Sequence, residues 1–254
     1  MSNLFRFSLI LALVFSGAKV FGYESNGTRN QSNTASASRY QVSGDRQGQV
    51  TVTDKVSRQV IRTFQMETGV VVRETFLLDN GRTVAASQKD LTILWDLATG
   101  NEIKRFPLRI YGFSHDQTKF FTWWAGKALL YSYPNMTQRC RLSEYTAGGP
   151  YEFHFSPDDR FLVSSFFNAM PSDDQNYPYP NMVMPGFRET KLFNLQTCKE
   201  SQEFSRMQFS GIGEFSPDSR FYYLKNAVVT LDGDLLRGLF RFDLMTYQVR
   251  KLAE

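Results

Sequence analysis

One short phrase returns along this chain with altered lettering, and it restricts the fold more than any single motif does. Phe76-Leu77-Leu78-Asp79-Asn80-Gly81, Phe113-Ser114-His115-Asp116, Phe155-Ser156-Pro157-Asp158-Asp159 and Phe215-Ser216-Pro217-Asp218 each join an aromatic residue to a turn-forming cluster. A second phrase recurs as Val52-Thr53-Asp54, Leu94-Trp95-Asp96, Leu130-Tyr131-Ser132, Leu192-Phe193-Asn194 and Arg241-Phe242-Asp243. Each second phrase leads to a closing apolar residue: Phe64, Phe106, Leu142, Phe204 or Leu252. The interval from its polar residue is ten in the first four cases and nine in the last. Self-similarity at a period of roughly 40 residues marks a repeat architecture.

The local text is β. From Arg39 onward, short runs of Val, Ile, Phe, Tyr and Thr alternate with Asp-Gly, Asn-Gly, Pro-Asp and Ala-Gly turns, and no long stretch has a helical period. With 42% hydrophobic and 15% aromatic residues, the chain has ample material for a core. The spacing defines four whole units, near 70–106, 108–142, 149–204 and 207–252, and a truncated one at 39–66 that lacks the leading phrase. From leading Phe to the polar residue of the second phrase the interval is 20, 19, 39 and 28. The fourth unit therefore carries a long insertion and the fifth a shorter one.

Units of four short strands with this lettering resemble β-propeller blades, and the unit 70–106 resembles a WD40 repeat. The likeness runs from Val84 to Asp96, with Asp90 in the tight turn and the terminal Trp95-Asp96 pair. The Phe-Ser-Pro-Asp openings at 155 and 215 are similar to the first-to-second strand turn of that family. Pro presets φ at such a turn and Asp caps the local backbone. The resemblance implies an all-β, WD40-like propeller of about five recognisable four-stranded blades, the first incomplete. Trp-Asp itself occurs once, and no Gly-His pair precedes any blade. An incomplete first blade also makes a homo-oligomer an expectation, since an open arc exposes apolar faces.

Residues 1–22 read as a secretory signal peptide. Arg6 precedes an apolar run from Phe7 to Phe15, and small residues follow. The run is too short to span a bilayer, and Lys19 cuts it off, so no membrane attachment is expected after cleavage. Residues 23–38 are a polar leader with sequons at Asn26 and Asn30; a third lies at Asn135. The expected address is secreted or periplasmic. Removing Arg6 and Lys19 from the 29 basic residues leaves 27 against 25 acidic, so the formal charge falls from +4 to +2. The remaining cations are scattered at strand spacing, which excludes a nucleic-acid stripe. The cysteines number two, Cys140 and Cys198. Alignment puts Cys140 in the last strand of one unit and Cys198 in the turn before the last strand of the next. That register opposes a disulfide unless the backbone is locally distorted.

Candidate chemistry is sparse. No HxH, HExxH, CxxC, GxSxG or phosphate-loop pattern occurs, so no metal, cofactor or catalytic set is expected. The alternative of a propeller enzyme would use a central channel, where Thr75, Gly112, His154 and Glu214 share one place, each just before a leading Phe. A protein-binding role has a better candidate in the insertion 168–187. It carries Asp173, Asp174, Tyr177, Tyr179, Met182 and Met184 among four prolines. Stiffened loops of this composition bind partners, although a plain insertion fits them equally. Trp123-Trp124 and Phe166-Phe167 point to opposite faces of a strand and are assigned to blade packing.

Overall fold

The computed structural model describes residues 38–144, 150–167, 188–205, 208–209, 213–225, 228–229, 235–236 and 238–253. The described residues form six antiparallel sheets, five of which follow one another in chain order as blades. Blade 1 has three strands, β1 (Tyr40–Gly44), β2 (Gln49–Asp54) and β3 (Val60–Gln65). Blade 2 has β4 (Glu74–Leu78), β5 (Thr83–Ser87), β6 (Thr92–Asp96) and β7 (Glu102–Phe106). Blade 3 has β8 (Ile110–Phe113), β9 (Lys119–Trp124), β10 (Lys127–Ser132) and β11 (Thr137–Glu144). Blade 4 has β12 (Pro150–Phe155), β13 (Phe161–Phe167), β14 (Arg188–Asn194) and β15 (Lys199–Glu200), followed by the one-turn helix α1 (Gln202–Ser205). A small sheet joins β16 (Gln208–Phe209) to β19 (Val228–Val229) and β20 (Leu235–Leu236). Blade 5 has β17 (Glu214–Phe215), β18 (Phe221–Lys225), β21 (Leu239–Asp243) and β22 (Val249–Ala253). The architecture is that of a blade-based β-propeller. No helix of the described residues is long and apolar enough to cross a membrane.

Two repeated turns explain the two repeated phrases. In the first turn of blades 2 to 5, the residue four after the leading Phe takes a left-handed conformation: Asn80, Gln117, Asp159 and Ser219, with φ of 56, 55, 56 and 54°. Asn and Asp tolerate that region better than most residues. In blades 3 to 5 the Ser hydroxyl closes the turn. Ser114, Ser156 and Ser216 donate to Asp116, Asp158 and Asp218 at 2.6, 2.7 and 2.6 Å. They accept the amides of Lys119, Phe161 and Phe221 at 3.0, 2.9 and 2.9 Å. In the second turn the polar residue caps the backbone just beyond it. Asp54, Asp96, Asn194 and Asp243 accept amides from Val56, Thr99, Gln196 and Met245 at 2.8, 2.7, 3.0 and 2.9 Å. Four residues on, Arg58, Gly100, Met136, Cys198 and Tyr247 are again left-handed. The interval counted in the sequence is thus a turn of fixed length leading into a strand.

The left-handed residue of the first turn also ties blades together. Gln117 Oε1 accepts the amide of Asp79 at 2.7 Å, Asp159 Oδ2 that of Asp116 at 2.7 Å, and Ser219 Oγ that of Asp158 at 3.0 Å. The same backbone donor is claimed each time by the next blade along the chain. Between blades 3 and 4 the tie is strongest, because Asp159 Oδ1 also accepts the His115 amide and its Nδ1, both at 2.8 Å.

Apolar residues lie between blades, since a single sheet has no other apolar layer to cover it. Val42, Val50, Val52 and Phe64 of blade 1 meet Val84, Ile93 and Trp95 of blade 2, where Trp95 stacks on Phe64 at 4.9 Å. Further clusters fill the junctions of blades 2 with 3, 3 with 4 and 4 with 5. Among the described residues no such cluster joins blade 5 to blade 1.

One sequence expectation fails. Cys140 and Cys198 are disulfide-bonded, with Cα atoms 6.2 Å apart. The register of β11 against β10 breaks between Leu130 and Tyr131, next to the Leu130–Cys140 pair. Cys198 sits at the left-handed corner just before β15. The bulge and the corner supply the distortion that a flat register lacks, and the bond links the outer strands of blades 3 and 4.

Candidate binding surface

Each blade turns one face back to its predecessor and one forward to its successor, and the forward positions can be read from the pairing. In blades 3, 4 and 5 the leading Phe pairs with the residue seven later: Phe113 with Phe120, Phe155 with Leu162, Phe215 with Tyr222. These pairs face backward. Strand alternation turns the next residue forward: Phe121, Val163 and Tyr223. Its partner on the third strand is Leu130, Leu192 or Arg241. The closing residue of the blade completes the forward face as Leu142, Phe204 or Leu252.

In blades 3 and 4 all these forward residues are buried by the following blade. Blade 5 differs at every one. Leu252 is 42% exposed, whereas Leu142 and Phe204 stand at 6% and 0%. Phe221 and Tyr223 are half-buried, where Phe161 and Val163 lie in the core. Arg241 replaces the buried Leu192, and its guanidinium lies 4.3 Å from the Phe221 ring centre, with Arg220 at 5.0 Å. The surface is aromatic and cationic, a composition enriched at protein interfaces. Among the described residues, no side chain of another blade accepts the Asp218 amide as Asp159 and Ser219 accept those of Asp116 and Asp158. Among the described residues, blade 5 therefore presents an unmatched half of a blade junction.

The residues singled out in the sequence occupy varied places. Trp95 is buried, and Asp96 caps its turn; the Thr99 amide, then the Thr99 hydroxyl, holds its carboxyl below the usual range. Asp90 is exposed in the tight turn between β5 and β6. Thr75 is buried, with its hydroxyl directed at the Val42 carbonyl, 3.4 Å away. His154 is half-buried, with Nε2 3.7 Å from Glu152, and Glu214 is exposed. Glu152 and Glu214 both act electrostatically on buried Tyr222, whose phenol is pushed up chiefly by burial and accepts the Gly213 amide at 2.7 Å. Asp173, Asp174, Tyr177, Tyr179, Met182 and Met184 lie outside the described residues, as do residues 1–37. Among the described residues, no group of three or more His, Cys, Asp or Glu is placed to hold a metal ion.

Two polar ties escaped sequence inspection. Glu74, buried on β4, forms a two-pronged pair with Arg109 (Nε to Oε2 2.7 Å), and Arg109 covers the Tyr111 ring at 4.3 Å. His115 and Asp159 meet across 44 residues. The visible signal for the second was His115 itself, standing where the turns of blades 4 and 5 have Pro157 and Pro217.

No protein-family model matches the sequence, and no curated protein matches it. Among solved structures 1271 chains match, so the likeness is to a widespread architecture. One is Kuenenia stuttgartiensis hydrazine synthase, with a TM-score of 0.51 and 13% identity. The alignment covers 81% of this chain and 60% of the length of that one. At such identity the similarity extends to the fold alone.

Proposed function

We propose that the chain is an exported, WD40-like propeller scaffold that binds a protein without catalysing a reaction. The supporting observation is the forward face of blade 5, where the positions that seat the next blade at other junctions stay partly open and one of them becomes Arg241. Residues 84–96, with the Trp95-Asp96 pair, support the WD40 likeness, and the apolar run ending at Phe15 supports export. Covering the open part of Leu252 alone is worth about 1 kcal/mol, and the aromatic–Arg pair adds the composition typical of interface anchors. The partner offers apolar side chains together with carboxylates for Arg220 and Arg241.

A photo-crosslinking residue placed at Tyr223, expressed in the native host, tests this. An adduct with another protein from Tyr223, absent from Gln49 on the outer face of blade 1 and weakened by Leu252→Asp, is expected. An adduct of the chain with itself would favour completion by a second copy. No adduct at Tyr223, or equal adducts at both sites, would sink the proposal.

A further inference from the structure

Strands β9, β10 and β11 of blade 3, with the link between β7 and β8, line a groove of about 740 Å³, within the usual range of small-ligand sites. Its floor is apolar, from Leu108 and Leu129, both part of the core between these blades. On one side Trp124, the last residue of β9, is 50% exposed. Its neighbour Trp123 turns the other way, against the blade 3–4 core, as alternation demands. So packing covers most of Trp123 and leaves half of Trp124 open to the groove. Tyr131 lines the groove too, with its ring fixed by stacking on Phe120 at 5.3 Å and by the edge of Phe106 at 5.1 Å. Lys127, Gln138 and Arg141 are exposed along the rim, and no carboxylate is among the described lining residues.

We propose that this groove binds an acidic saccharide, a glycan bearing carboxylates, at a site separate from the blade 5 face. A half-exposed indole offers a flat apolar surface for the C–H face of a sugar ring. Lys127 and Arg141 make the rim positive, which suits a carboxylate, and the Gln138 amide suits hydroxyl groups. An acidic peptide fits less well. Peptides gain affinity by adding a strand to a regular sheet edge. Here the edge strand β11 breaks register with β10 twice, between Ala128 and Leu129 and between Leu130 and Tyr131. The Cys140–Cys198 bond fixes that edge to blade 4. Both features blunt strand addition.

The test is titration of the full chain, disulfide intact, with trigalacturonate, maltotriose and triglutamate, read by calorimetry and tryptophan fluorescence. Trigalacturonate is expected to bind at least about tenfold tighter than either of the others and to change the fluorescence. Trp124→Ala is expected to weaken it about tenfold, and Trp124→Phe to abolish the fluorescence change while keeping affinity within about threefold. Arg141→Gln is expected to weaken binding and flatten its salt dependence. Equal binding of maltotriose, preference for triglutamate, no binding at millimolar concentration, or indifference to Trp124→Ala would each overturn the proposal.

Discussion

Asp159→Ala should loosen the junction of blades 3 and 4 more than any other single change to a polar side chain of the turns. The Asp159 carboxylate is 5% exposed and accepts three hydrogen bonds from blade 3: the amides of His115 and Asp116 at 2.8 and 2.7 Å and His115 Nδ1 at 2.8 Å. A net contribution of roughly 1 kcal/mol per bond gives about 3 kcal/mol. Placing Ala at φ 56° adds about 1 kcal/mol of backbone strain, and water reaching the exposed donors of residues 115 and 116 returns a similar amount. The expected loss is therefore about 3 kcal/mol, or roughly 6–12 °C in Tm for a chain of this size. Asp159→Asn keeps the shape but only one acceptor oxygen, and its NH2 faces the donor that the other oxygen served, so its loss should approach that of Asp159→Ala. Its pH dependence carries the sharper test. The hydrogen bond to Asp159, opposed by partial burial and aided by the charges of Asp159 and Asp116, raises the His115 pKa above its usual 6.5. A histidine with a raised folded-state pKa contributes fully below its unfolded pKa and loses that contribution as pH rises through the folded one. The stability difference between native chain and Asp159→Asn, from denaturant unfolding between pH 5 and 9, should then be largest at the acid end and shrink above neutrality. Because the ring is 37% exposed, solvent screening keeps this part small. A difference that grows with pH, or an Asp159→Ala loss under about 0.5 kcal/mol, would refute the assignment.

The same junction holds the disulfide, whose cysteines are separated by 58 residues. Cys140→Ser with Cys198→Ser should lower unfolding stability by about 2–4 kcal/mol in non-reducing buffer, measured in urea. In reducing buffer the native chain should fall to the level of that variant. Arg58 is exposed and left-handed at φ 58°, so Arg58→Gly is expected to stabilise by about 0.5–1 kcal/mol in thermal unfolding; a destabilisation would show that its side chain has a task. Ser156→Ala strips the Phe161 amide of its acceptor and Asp158 of a donor, and should cost about 1–2 kcal/mol. It should also raise the Asp158 pKa in carboxylate NMR titration. Partial burial opposes ionisation there, yet Ser156, the Arg160 amide and the Arg160 side chain hold Asp158 below its usual range.

Legibility tracked the range of the interaction. The turns were readable because every group involved lies within five residues: Ser156 reaches only to Asp158 and Phe161. Alternation along β9 placed Trp123 and Trp124 on opposite faces. Whether each face was covered depended on how far blade 2 stands from blade 3, which no local pattern encodes. The disulfide was misjudged for a related reason. Counting residues along aligned strands treats the sheets as flat and in step, whereas β11 bulges beside Cys140 and the outer strands of neighbouring blades converge there. His115 with Asp159, and Glu74 with Arg109, join residues 44 and 35 apart. Such pairs leave only one trace in a single sequence, a polar residue where the repeat has another letter.

That trace also separates the two ends of the row of blades. Arrays of stacked sheets end safely when the last sheet turns a polar face outward, and blade 1 does so. Its outer face carries Gln41, Ser43, Gln49, Thr51, Thr53, Thr63 and Gln65, and its exposed apolar residues, Val60 opposite Thr53 and Ile61 at the bulge, are confined to the start of β3. Had blade 5 been built to face water, the same chemistry should appear at Phe221, Tyr223, Arg241 and Leu252. It does not: two aromatic residues and a leucine persist, and the one substitution brings in a guanidinium that packs on Phe221. Arginine over an aromatic ring is well suited to an intermittently covered surface, since it screens the ring from water and turns readily to a carboxylate. The unequal ends make a docking face a better account of the lettering of blade 5 than a solvated terminus. Changing Tyr223 and Leu252 together to Thr should leave Tm within about 2 °C while removing the crosslink from a probe placed at Phe221. A large fall in Tm would instead show that these side chains pack against the chain itself.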